Sequence, residues 1–130
     1  MNTAVTVLLA EDNEDDLFLT QRVLRKAGIG PVFHAADGRE AKQYLEGVGE
    51  YADRASYPLP EVVLLDLKMP EFTGHEVLEW VRAQPALSGL RVYVLTSSDE
   101  GRDRERVEKA GVQGYYVKPL TPEQVAEIFG

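Results

Sequence analysis

Apolar positions along the chain alternate between two rhythms. Five short runs are nearly continuous in apolar character: Val5 to Ala10, Val32 to Ala36, Val62 to Leu65 within the stretch 61–66, Leu90 to Thr96, and Gly114 to Val117. Runs of this length, rich in β-branched residues and bounded by turn signals, read as strands buried on both faces, as in a parallel sheet. Between them the apolar residues recur at helical spacing. The first helix carries Leu17, Thr20, Val23, Leu24 and Ala27 inward. The second, roughly 39–48, carries Ala41, Tyr44, Leu45 and Val48. The third buries Val77, Leu78 and Val81, with Trp80 at its margin. A fourth helix over about 102–110 has only Val107 and Ala110 to bury, so it is predicted to be weakly held and mobile.

The punctuation agrees with these spans. Ala27-Gly28-Ile29-Gly30-Pro31 stops the first helix, and Asp37-Gly38 turns the chain into the second. Thr73 with Glu76, and Thr121 with Pro122 and Gln124, have the spacing that opens a helix. Residues 49–60 form a loop marked by Gly49, Pro58 and Pro60 and decorated by Tyr51 and Tyr57. At about a dozen residues it exceeds most connections, and it reads as a tolerated insertion rather than a partner-binding feature. The order strand then helix, five times over, calls for an α/β doubly wound fold with helices on both faces of a parallel sheet, in one domain over 1–130.

Composition changes this picture little. The 44% hydrophobic and 28% charged fractions are those of an ordinary globular protein. No apolar run approaches the roughly 20 residues of a membrane span, and there is no cysteine for disulfides or thiolate metal sites. A cytoplasmic protein is the expectation. The net charge of −8 argues against nucleic-acid binding, which needs a basic face. It suits cations or a basic partner, although a merely soluble surface accounts for it as well.

Candidate chemistry lies at the strand ends. The first strand runs into Glu11-Asp12-Asn13-Glu14-Asp15-Asp16, five acids in six residues. An acid-rich helix start capped by Asn13 explains Glu14, Asp15 and Asp16, but not Glu11 and Asp12. Strand three ends in Asp66, strand four in Thr96 and strand five in Lys118. The C-terminal strand edge is where a doubly wound sheet builds its sites. The plainer role for Asp66, a turn or cap residue, remains open on its own position alone. Three clustered carboxylates repel one another unless a cation holds them, and hard oxygen donors suit Mg²⁺. Lys118 and the Thr96 hydroxyl are suited to phosphate oxygens, and Asp66 to the role of nucleophile, so the set is coherent as a phosphoryl-acceptor site. His34 reads as a strand residue near the surface, with no second histidine nearby to make it a ligand.

Glu11-Asp12, Asp66 within Asp-Leu-Lys-Met-Pro, Gly74, Thr96-Ser97 and Lys118-Pro119, at these separations, resemble the receiver domain of two-component response regulators. The resemblance spans essentially the whole chain. It implies a flavodoxin-like (βα)5 sheet of order 2-1-3-4-5, and a phosphoryl group taken by Asp66 from a histidine kinase. It implies Mg²⁺ held by Asp12, Asp66 and the backbone carbonyl of Lys68, with Glu11 nearby or acting through water. It also implies phosphate contacts from Thr96, Ser97 and Lys118, Tyr115 as the signalling aromatic, and a cis bond before Pro119. The face of helix four, strand five and helix five is then a possible homodimer surface. The acidic start and the long loop before strand three are similar to the small regulators paired with bacterial phytochrome kinases.

Three other readings are weaker. A phosphohydrolase of the haloacid dehalogenase type needs a second aspartate at the position held by Lys68. A phosphorylation-independent pseudo-receiver needs a missing acid or lysine, and none is missing. A DNA-binding regulator would need residues for an output domain and a different charge.

Overall fold

Continuous apolar runs make strands here because side chains of both parities find cover. The computed structural model describes residues 4–97 and 101–130, with 101–103 described by backbone alone. Its strands are β1 (Ala4–Ala10), β2 (Gly30–Ala35), β3 (Val62–Leu65), β4 (Arg91–Thr96) and β5 (Gly114–Val117). They form one parallel sheet of order β2-β1-β3-β4-β5, the flavodoxin-like order that the resemblance implied.

The helices are α1 (Glu14–Lys26), α2 (Gly38–Glu46), α3 (Gly74–Arg82), α4 (Gly101–Ala110) and α5 (Pro122–Phe129). Leu8, Ala10, Val63, Leu65, Val92 and Val94 face α2, α3 and Val107 of α4. The opposite parity, Val7, Leu9, Val62, Leu64 and Leu95, packs with Leu24 of α1 and with Val125 and Ile128 of α5. Two helical layers thus sandwich the sheet, with a core on each face.

Local chemistry sets the boundaries. Asn13 caps α1 and Asp37 caps α2 by accepting the amides of Asp16 and Glu40, while Thr73 and Thr121 open α3 and α5 with complete capping boxes. Two helix starts lie directly on backbone. A Cβ at Gly38 would collide with the carbonyl of Phe72, and one at Gly74 with the carbonyl of Asp66. The Gly30–Pro31 and Lys118–Pro119 bonds are both cis.

Three expectations are corrected. Val48 does not face inward: α2 ends at Glu46, Gly47 takes the left-handed conformation (φ 71°), and Val48 is exposed. Ala27 is exposed as well, because Gly28 turns the chain and Ile29 fills the core in its place. Nor do Tyr51 and Tyr57 decorate the 49–60 loop. Tyr51 is buried, and it joins Tyr44, Tyr57 and Phe33 in an aromatic cluster with ring centroids 5.0–6.2 Å apart.

Arg54 closes that loop onto α2, donating to the carbonyls of Tyr44 (2.8 Å), Leu45 (3.0 Å) and Tyr57 (3.1 Å). Two of these are carbonyls in the last turn of α2, where helix-internal partners run out, and that of Tyr44 also accepts the Gly47 amide at 3.1 Å. Replacing Arg54 by alanine should therefore cost about 2 kcal/mol, the scale of charged hydrogen bonds. Urea unfolding checks this, and a loss below about 0.5 kcal/mol would show the loop to be loosely attached.

The fourth helix has its apolar anchor at Val107, which is fully buried. It also has polar ties that the apolar pattern did not reveal. Arg106 makes a two-point pair with Glu79 of α3 (2.8 and 3.1 Å), and Arg104 lies over the Tyr115 ring, 5.2 Å from its centroid. Exposed ion pairs contribute little, so among the described side chains of this helix Val107 is the main apolar hold. On the other side of α3, Lys42 of α2 sits over Trp80, 5.2 Å from the ring centroid.

Candidate functional site

The register of the central strands brings the acids together. Ala10 pairs with Leu65, so Glu11 and Asp66 leave the sheet at the same level, and the Asp66 amide still donates to the Ala10 carbonyl at 3.1 Å. The strand order puts β1 beside β3, and one carboxylate oxygen from each of Glu11, Asp12 and Asp66 falls within 4.8 Å of the others. Glu11 and Asp66 are buried, at 1% and 5% exposure, while Asp12 opens to solvent.

Lys118 reaches this cluster from the end of β5. Its amide donates to the Thr96 carbonyl at 2.7 Å, tying β5 to β4 just before the chain turns at Pro119. Its ammonium lies 2.6 Å from Glu11, 2.9 Å from Asp16 and 3.1 Å from Asp66, with the side chain 8% exposed. Burial alone would lower the Lys118 pKa, but hydrogen bonds to Glu11 and Asp16 and the charge of Asp66 outweigh it and hold the value above the usual one. Burial acts the other way on Glu11, raising its carboxyl to about 7 despite the hydrogen bond from Lys118, with Asp66 adding like-charge repulsion. Such a site, with the carboxyls of Glu11, Asp12, Asp16 and Asp66 against one ammonium, is short of positive charge. The donor set fits a hard divalent cation: all oxygens, two of them buried and one facing water.

The remaining candidates lie around this centre. The Lys68 amide donates to Asp66 Oδ1 at 3.2 Å, so the loop after β3 folds back over the carboxylate. Thr96 is fully buried at the end of β4, and Ser97 is exposed beside it. Tyr115 is not part of the cluster. It is half-buried on edge strand β5, packed against the core on the face that α2, α3 and α4 cover. His34 is no ligand of the acid cluster. Its Nε2 donates to the Glu11 carbonyl at 2.7 Å, which fixes a proton on that nitrogen and braces the turn after β1.

Asp16 is the residue that sequence reasoning missed. Its place in the acid-rich first turn of α1 explained it as a helix-start acid, and no spacing signal separates it from Glu14 and Asp15. Only the path of β5 brings Lys118 to it.

Comparison with known proteins agrees with this geometry. Residues 7–129 match the response regulator receiver domain. The probable methanogenesis regulatory protein FilR2 of Methanothrix harundinacea is 36% identical over 123 residues, covering 92% of this chain and 75% of that protein. The response regulator Rcp1 of Synechocystis is 36% identical over 103 residues, 78% of this chain and 68% of its own length. The solved bacteriophytochrome response regulator AtBRR superposes with a TM-score of 0.85 at 40% identity, over 97% of this chain and 90% of that one. A crystal structure of the Mn²⁺-bound form of Rcp1 superposes at 0.83 with 32% identity, over 96% and 93%. With five parallel strands in this order and an acid cluster at their ends, the chain belongs to the response regulator receiver domain family of two-component signalling.

Proposed function

We propose that Asp66 accepts a phosphoryl group from a sensor histidine kinase in a Mg²⁺-dependent reaction, and that the kinase is a bacteriophytochrome. The observation that carries this reading is the buried Asp66 carboxylate at the end of the central strand, with Lys118 Nζ at 3.1 Å and the oxygens of Glu11 and Asp12 alongside. The likeness to bacteriophytochrome regulators supports the choice of kinase. The protein is then a cytoplasmic single-domain regulator over 1–130, whose chemistry is confined to its own carboxylate.

In this reading an Asp66 oxygen attacks phosphorus, the P–N bond to the kinase histidine breaks, and the imidazole leaves with the pair of electrons and takes up a proton. Asp12, Asp66 and the Lys68 carbonyl would hold the cation, with Glu11 nearby or through water. When bound, Mg²⁺ would supply positive charge beside the transferring group. Lys118 turns its ammonium from the Asp66 oxygen to a phosphoryl oxygen, and the Thr96 hydroxyl donates to another, with Ser97 at the rim. Thr96 drawn toward Asp66 leaves room for Tyr115 to turn inward beneath Arg104, and α4 shifts with it. That face, α4 with β5 and α5, is also the surface for association of two copies. Taking such an equilibrium from 1:99 to 99:1 needs about 5.5 kcal/mol of preference for the phosphorylated form. Two or three charge-assisted bonds are of that scale.

Incubation with Mg²⁺ and a small phosphodonor should add the mass of one phosphoryl group, and a chelator should prevent it. No gain under any condition would leave a phosphorylation-independent module. Phosphotransfer from a panel of kinases tests the partner, and preference for a kinase other than a bacteriophytochrome sinks that part. Hydrogen exchange and sedimentation, with and without a phosphate mimic, test the switch and the dimer. Unchanged protection over 96–118 and an unchanged mass in solution would remove them.

The cation should depend on Asp12 more than on Glu11, whose carboxylate is already tied to Lys118. Calorimetric titration should show about a 100-fold affinity loss for Asp12→Ala and about tenfold for Glu11→Ala. The opposite ranking would exchange their roles.

A further inference from the structure

Asp16 belongs to the first turn of α1, yet the helix does not account for where its carboxylate points. Its own amide donates to Asn13 Oδ1 at 2.9 Å, which fixes the turn. Its Oδ2 crosses to Lys118 Nζ at 2.9 Å, and the side chain is 33% exposed, whereas Glu14 and Asp15 beside it face solvent. A lysine ammonium has three hydrogens. Three carboxylates lie within reach of this one: Glu11 at 2.6 Å, Asp16 at 2.9 Å and Asp66 at 3.1 Å.

Two of those three partners have other commitments. Glu11 and Asp66 share the oxygen cluster with Asp12, and Asp66 is the proposed site of acyl phosphate formation. Asp16 stands outside that cluster. It is anchored on a different element, by a helix cap that does not involve its carboxylate.

We infer that Asp16 is the positioning residue for Lys118, keeping the ammonium aimed at Asp66 while Glu11 and Asp66 engage a cation and a phosphoryl group. The inference rests on the phosphoryl-acceptor reading of Asp66. A long lysine stem has many accessible rotamers, so an ammonium that lost both other partners would stray from the reaction axis. With Asp16 in place, one bond persists through every stage.

Asp16→Asn tests this, because the cap bond is made by the backbone amide and survives the change. The first readout is NMR of the lysine ammonium groups in isotopically labelled protein at saturating Mg²⁺, with the Lys118 signal identified by its loss in Lys118→Arg. The wild-type signal should be sharp and slow to exchange with water, and in Asp16→Asn it should broaden away. The second readout is the phosphorylation rate with a small phosphodonor at saturating Mg²⁺. It should fall about tenfold, equivalent to about 1.4 kcal/mol of barrier, and Asp16→Glu should restore most of it. An unchanged Lys118 signal overturns the inference. So does a rate defect that vanishes once Mg²⁺ saturates, which would make Asp16 only a charge near the cation. If the wild-type protein takes no phosphoryl group, the acceptor reading of Asp66 fails instead, and the ammonium spectra alone decide the role of Asp16.

Discussion

Asp66→Asn should fold as the parent does and gain no phosphoryl mass from a small phosphodonor under conditions that fully label the wild type. The amide has the shape of the carboxylate but neither its charge nor its nucleophilic oxygen. Its neighbours tolerate the change, because Lys118 keeps Glu11 at 2.6 Å and Asp16 at 2.9 Å. Removing one of three crowded carboxylates also relieves repulsion. Thermal unfolding should therefore show stability equal to the parent or slightly above it, so that loss of labelling reports chemistry and not collapse. Intact mass spectrometry reads the result directly. Labelling of the mutant to the wild-type level would move the acceptor to another acid, and Asp12, exposed in the same cluster, would be the next to replace.

The second large effect is expected from Gly74→Ala, where fold and site meet. A Cβ there would strike the Asp66 carbonyl oxygen and lie 2.6 Å from Leu67 Cα, so it meets backbone and no flexible side chain can yield. Either the start of α3 lifts away or the loop after β3 is displaced, and that loop carries the Lys68 amide that donates to the Asp66 carboxylate. Overpacking against rigid backbone costs about 3 kcal/mol. The same displacement misplaces the acceptor, so urea unfolding and phosphodonor labelling should fall together. Gly89→Ala is the control, since nothing lies within 4 Å of its added Cβ. A Gly74→Ala protein within about 0.5 kcal/mol of the parent would show that the helix start adjusts freely.

Much of the site was legible because strand ends carry it. Val62 to Leu65 read as a buried strand, and the residue that follows such a run sits at the sheet edge. Glu11, Asp66, Thr96 and Lys118 could all be placed by counting from apolar runs. The order of the sheet came from the resemblance, since crossover rules leave several arrangements of five parallel strands. What remained hidden depends on long-range geometry. Asp16 looks like any helix-start acid until β5 delivers Lys118 to it from 102 residues away. Arg54 looks like a loop charge until three carbonyls converge on it, and Tyr51 and Tyr57 looked like surface decoration because no period marks a loop. Val48 misled for a local reason. It continues the helical spacing of Ala41, Tyr44 and Leu45, but Gly47 ends the helix one residue before it.

The place of Trp80 decides which optical experiments will work. It is the single tryptophan of the chain, half-buried on α3 beside Lys42. It lines a groove with Leu45, Val48, Gln84 and Leu87, where α2 and α3 end. Helices in a parallel α/β fold return the chain from the carboxyl to the amino edge of the sheet, so this groove lies at the edge opposite Asp66. Its emission will follow denaturation faithfully and stay dark to cation and phosphoryl group alike. A fluorescent report on signalling needs the indole moved to the other edge of the sheet, with Trp80 silenced as phenylalanine.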